Sequence, residues 1–91
     1  MSYIVVLAPP ASRQLKKLGK QEPAVAQELL QAIIGLEDEP RPKGCKKLKK
    51  TKNTYRVRRG NYRIVYIVED QVLTVTVVAA GDRRSVYKLF D

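Results

Sequence analysis

A cluster of arginines, lysines and tyrosines, among them Arg56, Arg58, Arg63, Arg83, Arg84 and Tyr87, holds the side chains that could do chemistry in this chain of 91 residues. The reason is partly what is absent. There is no histidine, and the one cysteine, Cys45, stands in no catalytic pattern, so hydrolase triads, a Cys-rich zinc site and an internal disulfide are all excluded. Acids are scarce in the second half, which leaves little for a two-carboxylate or magnesium site. No metal or cofactor is expected. A cluster of cations and tyrosines suits cleavage of RNA by its own 2′-hydroxyl. The attacking group is already in the substrate, so a protein need only orient it, neutralise the charge developing on the phosphorane and help move protons. Tyr87 stands near Arg83 and Arg84, whose charges favour its phenolate and make it a candidate general base. The alternative for Tyr87 is a tail aromatic packed on the sheet.

The elements that must position these groups begin with Tyr55-Arg56-Val57-Arg58-Arg59-Gly60-Asn61-Tyr62-Arg63-Ile64-Val65-Tyr66. Tyr, Val and Ile favour a pleated surface, and Gly60-Asn61 is a two-residue hairpin signal. Side chains alternate along a strand. Tyr55 and Val57 therefore share one face with Tyr62, Ile64 and Tyr66, while Arg56, Arg58 and Arg63 lie on the opposite one. A solvated sheet face, or for Arg63 a surface arginine stacked on Tyr55, is the plainer reading.

Charge is distributed as unevenly as the arginines. Eighteen Lys or Arg against nine Asp or Glu give a formal charge of +9. Residues 1–40 hold four cations and five acids, whereas residues 41–91 hold fourteen and four, and no acid lies between Pro40 and Val68. Such asymmetry is the electrostatic footprint of a nucleic-acid binder, although it would also aid solubility or attract an acidic protein. Within it, Arg41, Lys43, Lys46, Lys47, Lys49, Lys50 and Lys52 surround one apolar anchor, Leu48. The run reads as a loop and a short strand through Lys46–Lys50, and as a ridge that grips phosphates or, failing that, as solvated charge.

The remaining elements read as scaffold. Tyr3 to Leu7 is an apolar run, expected as a central or well-covered strand. Pro10 opens a first helix with Ala11, Leu15 and Leu18 inward and Gly19 as its stop. Pro23 opens a second, whose stripe of Val25, Leu29, Ile33 and Leu36 packs on the sheet. Val72 to Ala80 reads as a strand ended by Gly81, and its stretch Val72 to Val78, almost continuously β-branched, suits burial on both faces. Arg83 to Phe90 predicts one or two terminal helical turns, with Leu89 and Phe90 packing back. One α+β domain over residues 1–91 follows, in the order β-α-α-β-β-β(-α). Its sheet is small and antiparallel or mixed, both helices pack on one face, and the arginines stand on an open one. No apolar run is long enough to span a bilayer, and residues 1–7 lack the basic lead and length of a secretory signal. A cytoplasmic location with no membrane partner is the expectation.

Tyr55-Arg56-Val57-Arg58 followed by Gly60-x-Tyr62-Arg63-Ile64-Val65-Tyr66 resembles the signature hairpin of the RelE/ParE toxin superfamily. Gly81-Asp82-Arg83-Arg84-Ser85-Val86-Tyr87 is similar to that family's closing segment, Pro10-Ala11-x-x-x-Leu15-Lys16-Lys17-Leu18 to its first helix, and Glu39-Pro40-Arg41-Pro42-x-Gly44-x-Lys46-Lys47-Leu48 to the link into its sheet. Four segments in register cover nearly the whole chain. The resemblance implies the toxin of a toxin–antitoxin system, of the RelE-like kind that cleaves mRNA in the ribosomal A site and stops translation. It also implies roles. Arg63 would stabilise the scissile phosphate, Arg83 the leaving group, and Tyr87 would take the 2′-hydroxyl proton. Arg56 and Arg58 stand where the family carries paired basic residues. Lys46, Lys47, Lys49, Lys50, Lys52 and Arg84 would hold RNA backbone. Implied partners are the ribosome, mRNA and a cognate antitoxin with an acidic C-terminal segment, with operator DNA bound only through the antitoxin complex. Asp82 stands where many relatives carry histidine or lysine; it would orient Arg83 or weaken phosphate binding. The alternative on the same fold is a ParE-like, non-enzymatic toxin that blocks DNA gyrase. An inert relative retained as a DNA-binding or regulatory partner is a third reading.

Overall fold

A computed structural model of the protein describes residues 2–88, the side chains of residues 87 and 88 excepted. The alternating stretch forms the two expected strands, β3 (Thr54–Arg59) and β4 (Tyr62–Glu69). Arg59 pairs with Tyr62 across the turn. Gly60 takes φ +60°, the left-handed backbone a two-residue hairpin needs at its first central position and that only glycine adopts without a Cβ penalty. Outside this hairpin lie β5 (Thr74–Asp82), antiparallel on β4, and β1 (Ile4–Leu7), parallel on β5. β2 (Lys46–Lys47) is antiparallel on β3. The result is a five-stranded mixed sheet in the order β1-β5-β4-β3-β2.

Helices α1 (Pro9–Gln21) and α2 (Pro23–Gly35) pack on one face. Ala11, Leu15, Leu29 and Ile33 meet Val57, Ile64, Tyr66, Val75 and Val77 in the main core. Truncating Leu29, fully buried there, would cost about 2–5 kcal/mol. Gly19 does not stop α1, because a helix tolerates one glycine. The break comes at Glu22 (φ −140°, ψ 72°), where Pro23 disfavours helical backbone in the residue before it.

Two further expectations are corrected. β1 is an edge strand. Its Ile4 and Val6 are 65% and 45% exposed, because they project onto the face that α1 and α2 leave uncovered. The last strand begins at Thr74, after a short 3-10 turn (Asp70–Val72) and a left-handed Leu73, and it continues through Gly81 and Asp82.

The second face of the sheet is not wholly open either. Helix α3 (Arg83–Lys88) turns back over it, and Val86 packs on Val65 and Ala79 with Leu48 and Val78 at the margin. A bulge makes the seat. Val65 pairs with Ala79 and Tyr66 with Val77, so Val78 is an extra residue. It puts Val78 and Ala79 on the same side and re-aims the end of β5. The packing expected of Leu89 and Phe90 lies outside the described residues.

Candidate active site

The end of the sheet nearest the Gly60-Asn61 turn carries a cleft of about 510 Å³ lined by Arg58, Asn61, Arg63, Asp82, Arg83 and Arg84. Three elements build it. Strand alternation places Arg58 and Arg63 on the α3 side, and the register sets them directly opposite each other, with Gly81 opposite Arg63 on the far side. The chain then leaves β5 at Asp82, and the first residues of α3 add Arg83 and Arg84. One row back, Lys46 stands directly opposite Arg56 on the same face. Like charges directly opposite across a sheet are destabilising. Two such pairs in adjacent rows are a cost that an anionic ligand would offset.

Arg63 is the distinctive member. Its residue is only 7% exposed. Its guanidinium reaches two backbone carbonyls at long range, Tyr62 O at 3.3 Å and Gly60 O at 3.4 Å, and its Nε is buried without a partner. Arg63 has no ion pair with an acid among the described residues. A buried guanidinium, always charged and offering five donors, is costly unless those donors are met. Here they are met weakly, and the cleft is where better acceptors would enter.

Asp82 has a structural task that accounts for an acid in so cationic a place. Its Oδ1 accepts the Ser85 backbone N–H at 2.8 Å, capping α3 in the manner of an N-terminal aspartate. That hydrogen bond, helped by the backbone of Arg84 and its charge, holds the carboxyl below the usual carboxylate range. Asp82 thus fixes the start of the helix from which Arg83 and Arg84 project.

The other expected residues are spread more widely. Lys49, Lys50 and Lys52 are exposed on the loop between β2 and β3, outside the cleft. Lys47 lies on the opposite side of β2 from Lys46, and its Nζ donates to the Thr51 carbonyl. The backbone of Tyr87 lies in α3, four residues after Arg83, and its side chain lies outside the described residues. Arg41 leaves the expected basic ridge altogether. It forms a bidentate pair with Asp70, at 2.7 and 3.2 Å, and its Nε donates to the Tyr55 hydroxyl at 3.0 Å. Arg41, not Arg63, is the arginine over the Tyr55 ring, 5.1 Å from its centroid. Asn61 was the residue missed. Its only signal was its place in the turn, which served to predict the hairpin.

Residues 5–87 match the family model described as ParE toxin of type II toxin-antitoxin system, parDE. The chain is 29% identical over 89 residues to Toxin RelG of Mycobacterium tuberculosis, covering 97% of this chain and 99% of that one. Among solved structures it is similar to the toxin–antitoxin complex RelBE2 from Mycobacterium tuberculosis, at 28% identity and a TM-score of 0.76, covering 91% of this chain and 100% of that one. The isolated E. coli RelE toxin is similar at 26% identity and a TM-score of 0.75, covering 98% and 95% of the two chains.

Proposed function

The chain belongs to the ParE toxin family of type II toxin–antitoxin systems, and we propose that within this family it is an endoribonuclease which cleaves mRNA in the ribosomal A site without a metal. The observation that carries this reading is Arg63, a buried arginine that no acid among the described residues neutralises, at the floor of a cleft walled by Arg58, Arg83 and Arg84. A surface that only binds a partner needs no such buried charge. A phosphorane does, because its extra negative charge appears only as the reaction proceeds and is best met by donors already in place.

In the reaction, the 2′-oxygen attacks the adjacent phosphorus, the bond to the 5′-oxygen breaks, and a cyclic phosphate and a 5′-hydroxyl result. Arg63 holds the non-bridging oxygens and gains most in the transition state. Arg83 stands where charge grows on the leaving 5′-oxygen, which takes its proton from water as the bond breaks. Tyr87 takes the proton of the 2′-hydroxyl. Arg58 and Arg56 seat the flanking phosphates, and Arg84 with Lys46, Lys47, Lys49, Lys50 and Lys52 holds RNA backbone of the message or ribosome. The protein works in the cytoplasm, where these substrates are. A cognate antitoxin with an acidic segment silences it by covering the cationic face, and operator DNA is met only through that complex. Antitoxin-bound relatives support the partner.

The test is cleavage of a defined mRNA by purified protein with and without ribosomes. Cuts that need ribosomes and vanish in Arg63→Ala and Tyr87→Phe support the reading. The description of the matching family favours one rival, the non-enzymatic toxin acting on DNA gyrase. Intact mRNA together with inhibited supercoiling by gyrase would replace the nuclease with that activity.

A further inference from the structure

Beside the cationic cleft, on the α1 side of Asp82, lies a second hollow of about 270 Å³. Gln14, Lys17, Glu22, Tyr62, Gly81 and Asp82 line it. Asp82 belongs to both hollows and forms the ridge between them. The second hollow exists because β1 is short. β1 ends opposite Val77, so the end of β5 has no strand on that side. Gln14 reaches from α1 to take its place, and Gln14 Oε1 accepts the Ala80 backbone N–H at 2.9 Å. A backbone N–H can only donate, so the oxygen of the amide is committed there and its Nε2 is the atom left over. That Nε2 has no hydrogen-bond partner among the described residues. Gly81 adds no side chain to the floor; a Cβ there would stand in ordinary contact with Ser85 Cβ at 3.6 Å and Gln14 Nε2 at 3.8 Å.

We propose that this hollow is a nucleobase subsite, and that the base it takes is guanine. The proposal rests on the nuclease reading for its place on the RNA. A strand whose phosphate lies on Arg63 has the hollow beside it, across Asp82. Tyr62 offers an aromatic wall of the kind on which unstacked RNA bases rest. The polar groups select the base. Guanine offers two adjacent N–H donors, suited to the carboxylates of Asp82 and Glu22, and the acceptors O6 and N7, suited to Gln14 Nε2 and Lys17. Cytosine presents the opposite arrangement around a smaller ring.

Gln14→Glu separates this role from a structural one. Glutamate keeps the acceptor that Ala80 N–H requires and removes the Nε2 donor. The experiment is titration of the protein with guanosine and cytidine monophosphates, following backbone amide resonances of Gln14, Tyr62, Gly81 and Ser85. Guanosine monophosphate is expected to shift these four and to bind about tenfold tighter than the cytidine nucleotide. Gln14→Glu, with its melting temperature unchanged, is expected to remove most of that difference. Equal binding of the two nucleotides, shifts confined to Arg58 and Arg63, or an undiminished preference in Gln14→Glu would each overturn the subsite. Guanine preference without cleavage of any ribosome-bound mRNA would keep the subsite and sink the nuclease. Cleavage with indifferent nucleotide binding would do the reverse.

Discussion

Arg41 and Arg63 are both arginines anchored at the sheet, and the molecule treats them oppositely. Arg41 lies at the rim, with its side chain 37% exposed, and everything around it answers its charge. Asp70 grips it with both oxygens, Tyr3 donates to the same carboxylate at 2.6 Å, and Tyr55 stacks beneath. Tyr55 in turn stacks on the buried Tyr66, with ring centroids 6.0 Å apart. The network ties the start of β1, the end of β4 and the loop before β2. Arg63 is far more buried and, among the described residues, reaches only two distant carbonyls. The difference separates a charge that holds the fold from a charge that the fold holds for something else.

Exchanging each arginine for methionine is the strongest way to break that distinction. Arg63→Met is expected to lower cleavage by about 10²–10³-fold, the loss typical of one preorganised donor, about 3–4 kcal/mol. Its melting temperature should hold or rise, since replacing a weakly compensated buried charge by an apolar group removes a desolvation cost. Arg41→Met should do the opposite, lowering the melting temperature while cleavage stays within about twofold, because nothing it touches lines the cleft. Loss of stability in Arg63→Met with activity intact would reverse the two assignments.

Acid sharpens the comparison from the stability side. The hydrogen bond from Arg41, and after it that from Tyr3, holds the Asp70 carboxyl below its ordinary range. A depressed carboxyl contributes stability above its unfolded value and loses it as the pH falls through the folded one. Wild type should therefore melt above Asp70→Asn at neutral pH, with the gap closing below about pH 4. Arg63 has no carboxylate partner among the described residues, so the difference between wild type and Arg63→Met should not follow that curve. Melting curves of all three proteins from pH 7 to pH 2.5 are the measurement.

Much of this was legible before the structure. Alternation over residues 55–66 gave the cationic face, because a period of two needs no tertiary information. Prolines 10 and 23 marked two helix starts, because proline suits the first turn. What was hidden is non-local. Arg41 reads as one more cation in a basic run, and only the fold brings Asp70 to it. The run Ile4–Leu7 looks covered on both sides because β-branched residues mark an edge and a centre alike. The burial of Arg63 depends on how the chain closes over the second face, where the bulge at Val78 lets Val86 settle. No spacing announces that bulge. The open end of β5, and with it the use of Gln14, follows from where β1 stops.

The lysine loop carries the distinction to its weakest case. Lys49 and Lys52 are exposed and without a partner among the described residues, whereas the Lys47 ammonium already donates to the Thr51 carbonyl. Exposed cations contact phosphates through bulk water and act by releasing counterions, whatever the sequence bound. Lys49→Ala and Lys52→Ala should each weaken RNA binding only severalfold and reduce the slope of log K against log salt by about one. Lys47→Ala should change that slope less, because its charge is held by the loop. It should also loosen the turn that ends in Lys50, whose φ of 64° is already left-handed. Binding of a short single-stranded RNA across a salt series reads all three variants. Equal slopes for Lys47→Ala and Lys49→Ala would mean that a carbonyl partner is too weak to commit a lysine, and would confine the contrast between held and free cations to the buried arginine.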